Sequence, residues 1–223
     1  MDMLFLKAVM LVPLTLLPIL NPVGNAPVFA AAVAGAGGLT EQRVARQVAL
    51  NCWFLLIGAM FIGSHVLDFF GISLPVVRVG GGLLVASTGW RYLNEQSQDA
   101  QKAGNLPVAW TEEVLKTRSF YPISFPLTVG PGSIAAAITL GAAAPAQFLD
   151  RLLSFGSSAL GLALTAGIIY LFYRYASRIV GMVGKPGTVI VRRMFSFILL
   201  CVGIQIAWHG VTDLLLQAGM VAG

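Results

Sequence analysis

Few residues in this chain could do chemistry, and most of them sit where polar groups are costly to keep. Asn21 and Asn25 lie in Asn21-Pro22-Val23-Gly24-Asn25-Ala26-Pro27-Val28-Phe29, within a run from Ala8 to Gly38 that carries no charged side chain. Thr128 and Ser133 lie in Phe125-Pro126-Leu127-Thr128-Val129-Gly130-Pro131-Gly132-Ser133, within a second uncharged run from Ser119 to Leu149. An amide both donates and accepts hydrogen bonds, as recognition of a zwitterionic solute requires. The same amides could instead cap a broken helix and satisfy carbonyls freed by proline, and one side chain could do both. Hydroxyls in apolar helices often bond to their own backbone, so Thr128 and Ser133 carry the same two readings. Gly130 and Gly132 read as backbone positions, open to a close approach or an αL turn. Ser133 then falls near the start of the next half-helix, whose positive end suits a carboxylate.

The charged candidates are fewer. Arg78 and Arg193 could clamp a carboxylate, but both fall near predicted membrane edges, where a long side chain snorkels at little cost. The anchor reading is favoured. His65 with Asp68, and His209 with Asp213, invite a proton-coupling role because histidine titrates near neutral pH. Their place near the outer ends of two spans is better explained by exposed polar ends. Cys52 and Cys201 fall inside apolar segments and read as small packing residues. No metal-ligand set and no nucleophile–base pair is visible, so neither a metal site, another cofactor nor an enzyme is expected. Gly80-Gly81-Gly82 lacks the lysine of a phosphate loop and reads as close helix packing, as do Gly156, Gly161 and Gly167.

These residues need elements that survive in a bilayer. With 57% hydrophobic and 10% charged residues and a mean hydropathy of +0.82, the chain is far from the roughly 25% charge of soluble domains. The net charge of +5 is spread between apolar segments, which argues against nucleic acid as a partner. The first segment lacks the basic start and the cleavage site of a signal peptide. Six spans are predicted, at about Leu4 to Ala34, Val48 to Phe69, Val76 to Leu93, Phe120 to Ala144, Leu153 to Tyr173 and Val191 to Leu216. Thr40 to Gln47 is expected to be a polar link, and Gly71 to Pro75 a tight turn. Tyr170, Phe172, Tyr173 and Tyr175 resemble an interfacial belt.

Proline removes a backbone donor and clashes with the carbonyl one turn back. Pro22, Gly24 and Pro27 are therefore expected to break the first helix, and Pro126 and Pro131 the fourth. The two proline pairs share one interval, which suggests a register of Pro22 with Pro126 and Pro27 with Pro131. The expected fold is an all-α integral membrane protein of six transmembrane helices, arranged as two inverted three-helix repeats. Residues 1–93 and 119–223 form the repeats, and 94–118 the cytoplasmic linker, together one membrane domain. Placing both termini outside puts eleven of the 14 Lys and Arg residues on the cytoplasmic side, a strong positive-inside signal. Paired broken helices near the midplane are how many secondary transporters build a substrate site.

Asn-Pro-x-Gly-x-x-Pro-x-Phe at Asn21–Phe29, Phe-Pro-x-x-x-Gly-Pro-Gly-x-Ile at Phe125–Ile134, and Phe-Gly-Ile-x-Leu-Pro at Phe70–Pro75 followed by Arg78-Val79-Gly80-Gly81-Gly82 resemble the MarC family. This bacterial and archaeal inner-membrane family, also called UPF0056, is related to the SnatA small neutral amino acid transporters. The resemblance covers nearly the whole chain, with the linker least distinctive. Gly203-Ile204-Gln205 stands where the family has Gly-Val-Gln. Phe195-Ser196 stands where the family has a glycine, which bears on how closely the last helix packs. The resemblance implies a multi-pass protein of the inner membrane that moves a small neutral solute, such as alanine or glycine, by alternating access. It leaves room for sodium or proton coupling and for a homo-oligomer. The competing reading is a non-transporting membrane protein of envelope integrity or stress response, with a membrane-embedded enzyme behind it.

Overall fold

A computed structural model describes residues 2–94, 110–142 and 148–219, and every described element is helical. The elements in chain order are α1 Asp2–Leu20, α2 Pro22–Ala32, α3 Gly38–Phe69, α4 Leu74–Asn94 and α5 Glu112–Arg118. An irregular stretch, Ser119–Thr128, leads on to α6 Pro131–Ala142, α7 Phe148–Arg174 and α8 Ala176–Gln217. Three helical stretches, Gly38–Phe69, Phe155–Arg174 and Pro186–Gln217, are long and apolar enough to cross a bilayer. Two bent pairs meet the same test when each is taken as one span, with bends of 54° at Leu20/Pro22 and 73° before Pro131. The 21-residue α4 is not in that set; it carries Arg78, Arg91 and three consecutive glycines.

Thr40–Gln47 is not a link. It forms the first turns of the 32-residue α3, a helix of about 48 Å at 1.5 Å per residue. That exceeds the ~30 Å hydrocarbon core, so these polar turns stand clear of it, with Glu41 accepting from the Ser177 hydroxyl at 2.7 Å and Arg43 paired to Glu112 at 3.0 Å. The tight turn after α3 is present. Gly71 takes φ 68°, and the Ile72 N–H reaches back to the Leu67 carbonyl at 2.9 Å, the αL closure that glycine permits after a helix. Of the expected linker, 95–109 lies outside the described residues. Its end is the short helix α5, capped by Thr111, with the Arg118 guanidinium 5.9 Å from the Trp110 ring.

The most extensive helix contact joins α4 to α8, and glycine makes it. A Cβ on Gly82 would lie 2.3 Å from the Ala207 amide, and one on Gly203 2.2 Å from the Ala86 amide. Gly89 likewise faces Leu200 and the Ser196 carbonyl, and Gly210 faces Pro75 and Val79. Positions rise along α4 as they fall along α8, so the two run antiparallel with their backbones nearly touching. Phe195-Ser196 does not loosen this seam, because Gly89 supplies the space opposite Ser196. Within the triplet Gly81 and Gly82 pack closely, whereas Gly80 faces open space. In α7 only Gly161 packs closely, against the Val9 carbonyl and Val12; Gly156 and Gly167 have nothing within 4 Å and are exposed.

Several further contacts cross between the chain's halves. α3 packs on α6 where Gly141 meets the Met60 carbonyl and Gly63 meets Ile138. α1 packs on α7, α2 on α8, and α4 on α6. The core so formed includes Leu16, Leu20, Phe29, Val48, Cys52, Leu56, Val129, Leu162, Ile169 and Tyr173. Cys52 is buried, as a packing residue would be, but Cys201 is exposed.

Candidate functional site

The first break is built on one residue. Asn21 takes φ 46°, ψ 55°, a left-handed backbone that asparagine tolerates better than most side chains. Its Oδ1 accepts the Gly24 N–H at 3.0 Å, an N-cap for α2. Pro22 follows at the first helical position, where its missing donor costs nothing. Gly24 leaves room for the cap: a Cβ there would sit 2.4 Å from the Asn21 amide nitrogen. The left-handed residue is thus Asn21. Gly130 and Gly132, expected as αL or ligand-facing positions, have no positive φ. A Cβ on Gly132 would lie 2.1 Å from Val85 Cγ2, so that glycine serves the packing of α6 on α4.

The second break is wider. Tyr121 and Phe125 leave helical backbone angles, each ahead of a cis proline. The turn is closed by hydrogen bonds that reach back five residues: the Val129 N–H to the Ser124 carbonyl at 2.8 Å, the Ser124 hydroxyl to Ser119 O at 2.6 Å and the Thr128 hydroxyl to Ile123 O at 2.7 Å. Pro131 then opens α6 just as Pro22 opens α2. Pro131 thus holds at the second break the helix-opening place that Pro22 holds at the first, whereas the sequence interval pairs Pro22 with Pro126. Pro126 belongs to the irregular approach, while Pro27 lies inside α2.

The two breaks touch. Asn25 donates from Nδ2 to the Leu20 carbonyl at 3.0 Å and across the fold to the Leu127 carbonyl at 3.2 Å. Thr128 meets the Tyr173 hydroxyl at 2.8 Å, and the Tyr173 ring stacks on Phe29 at 4.4 Å between centroids. Tyr173 is fully buried. It is no part of an interfacial belt, but a post between the breaks. The aromatic run Tyr170–Tyr175 hid it, because a girdle and a buried stack use the same residue types.

Around this junction lies a cavity of about 560 Å³, within the usual range for small-molecule sites. Asn21, Asn25, Thr128, Gly130, Gly132 and Ser133 all line it, together with Pro126 and Pro131. Ser87, Thr88, Arg91 and Tyr92 extend its wall along α4. Much of the polar capacity is already spent, since Ser133 donates to the Gly130 carbonyl at 2.8 Å and both Asn25 donors are engaged. Asn21 is the exception. It is 3% exposed, its oxygen is used, and its amide N–H groups have no protein partner among the described residues.

Neither arginine singled out in the sequence reaches the cavity. Arg78 forms an ion pair with Asp213 between α4 and α8, with both side chains about one-third exposed. It is held by a partner and is neither a free anchor nor a free clamp. Arg193 is exposed and outside the lining. Among the described residues the charged one at the cavity is Arg91, which sequence reasoning passed over because it ends a span like any interfacial arginine. His65 and His209 are exposed, with Gln205 Nε2 3.0 Å from His209 Nε2. Among the described residues no three His, Cys, Asp or Glu side chains gather as a metal site would need.

The sequence model of one family, described as "MarC family integral membrane protein", matches residues 6–215. The chain is 29% identical over 213 residues to "UPF0056 inner membrane protein MarC" of Escherichia coli O157:H7, covering 94% of this chain and 96% of that protein. The proteins of the same name from Escherichia coli K12 and Shigella flexneri match at the same identity and coverage. No solved structure matches the chain.

Proposed function

The chain belongs to the MarC family of integral membrane proteins, and we propose that it moves a small neutral solute, such as alanine or glycine, across the inner membrane by alternating access. The observation that carries this reading is the meeting of two broken helices, 102 residues apart in sequence, at one cavity. A continuous helix satisfies its own backbone; a broken one in a membrane is tolerated where it lines a cavity. Two such breaks facing each other offer a solute exposed helix starts at α2 and α6. Asn21 adds two amide donors. Asn25, Thr128 and Ser133 act chiefly by holding the breaks in shape. The site needs no catalytic step.

The reading includes two inverted three-helix units with six crossings, α4 among them, and both termini outside. Antiparallel packing of α4 on α8 and exchanged packing of α1 on α7 and α6 on α3 support it. Orientation is tested with single cysteines in a Cys52→Ser, Cys201→Ser background and an impermeant thiol reagent on intact spheroplasts. A cysteine placed at Ala218 should label and one at Glu113 should not; the reverse pattern overturns the topology.

Transport is tested with purified protein in liposomes, by uptake or efflux of labelled alanine and glycine under imposed sodium or proton gradients. Protein-dependent flux that saturates with solute is expected, and the gradient that accelerates it identifies the coupling ion. Absence of flux across a panel of small neutral solutes rules the reading out.

A further inference from the structure

Among the described residues, the charge at the cavity is positive, which narrows what can enter it. Among the described residues, Arg91 is the charged side chain in the lining and no Asp or Glu lines it. Beside it Tyr92, also in the lining, has the Arg91 guanidinium 5.6 Å and the Arg192 guanidinium 5.5 Å from its ring centroid. An aromatic face holds a cation at such distances, so the ring gathers two positive charges at this end of α4. Asn21, also in the lining, keeps amide donors without a protein partner among the described residues while only 3% exposed. The first turn of α6 adds backbone N–H groups that an α-helix leaves unsatisfied at its start, with the positive end of its dipole. The guanidinium, the Asn21 amide and the α6 start together favour an acceptor with negative charge.

We infer that the cavity selects solutes bearing a carboxylate and that Arg91 sets this charge preference at its mouth. This rests on the transport reading for its cargo but not for its electrostatics. Arg91 lies six positions beyond Val85, the residue against which Gly132 packs, or about 9 Å along the helix axis. Arg91 and Tyr92 are the last α4 residues in the lining, beyond the breaks. Arg91 therefore acts on the approaching solute, while Asn21 and the α6 amides receive its carboxylate. Zwitterions and small monocarboxylates pass this mouth, and amines without an acid group are repelled.

The test reads charge selection without requiring transport. Ser87 lines the cavity one helical turn before Arg91, and positions i and i+4 share a face. In a Cys52→Ser, Cys201→Ser background, Ser87→Cys is treated with two methanethiosulfonates of similar size, one bearing a sulfonate and one a trimethylammonium group. Rates are normalised to a free thiol. The anionic reagent should react about tenfold faster than the cationic one, the low end of what a focused potential produces. Arg91→Lys should keep most of that ratio, and Arg91→Gln should bring it close to one. Salt at 1 M, where the screening length is about 3 Å, should do the same to the parent. Thermal unfolding of each variant guards against misfolding. A ratio near one in the parent, a ratio unmoved by Arg91→Gln, or a cysteine inert to both reagents overturns the inference. An intact ratio in a protein that carries no solute leaves the charge preference standing and removes only the transport reading.

Discussion

Gly203→Val should prevent α4 and α8 from closing, with a loss of at least several degrees in thermal unfolding and a fall in the yield of monodisperse protein. Even the first added carbon would lie 2.2 Å from the Ala86 amide nitrogen and 2.7 Å from the Gly82 carbonyl. Both obstacles are backbone, so no rotamer change relieves them and the helices must separate. Overpacking of this kind costs about 1–3 kcal/mol, and more where nothing can yield. In lipid the loss is felt more sharply, because helix association rests on close van der Waals packing rather than on expulsion of water. The comparison that makes the result specific is Gly80→Ala. Nothing lies within 4 Å of a Cβ there, and replacing glycine by alanine inside a helix gains roughly 0.5–1 kcal/mol. The two variants should move stability in opposite directions in the same detergent. Equal, small shifts would mean that the α4–α8 seam does not hold the protein together.

The second large effect is expected at Tyr173. Removing its ring by Tyr173→Ala should cost about 3–5 kcal/mol, the range for deleting a large buried aromatic, because the side chain is fully buried and stacked on Phe29. Tyr173→Phe should cost only about 0.5–1.5 kcal/mol, one hydrogen bond. Thr128 would still donate to the Ile123 carbonyl, so no donor is stranded. Thr128→Val removes the other end of the same bond. Combined with Tyr173→Phe it should be less damaging than the sum of the two single changes, as residues sharing one interaction are coupled. The measurement is a double-mutant cycle on thermal or denaturant unfolding. Strict additivity would show that the hydroxyl pair does not tie α7 to the second break. If flux is established in liposomes, Tyr173→Ala should also abolish it, since the post between the two breaks would be gone.

Position 173 shows where sequence reasoning reached its limit. A tyrosine among aromatics near the end of a span looks like an interfacial residue, and its burial depends on Phe29 and Thr128, which are distant in the chain. Arg91 shows the same limit from the other side. As the terminal arginine of a span it is indistinguishable from Arg78 and Arg193, and only the course of the cavity along α4 separates the three. The anchor reading of Arg78 rests on its place at a membrane edge, and its partner Asp213, 135 residues away, is visible only in the fold.

The sequence carries what is local. Uncharged runs broken by proline and glycine dictated an apolar helical protein with two interrupted segments, because proline's missing donor and ring clash act within one turn. It also marked Asn21, Asn25, Thr128 and Ser133, since polar groups inside apolar runs must find partners. The tight turn at Gly71 and the close-packing role of Gly82 were legible for the same reason. Only the fold shows that the expected meeting of the two breaks runs through Asn25 and Tyr173, that their wall continues to Arg91, and that Pro131 is the residue that opens the helix after the second break. It also decided that most of the marked side chains are spent on holding the breaks, leaving Asn21 with donors to offer. Those outcomes depend on which backbone approaches which across 100 residues or more, and a carbonyl such as that of Leu127 looks the same in sequence whether Asn25 reaches it or not.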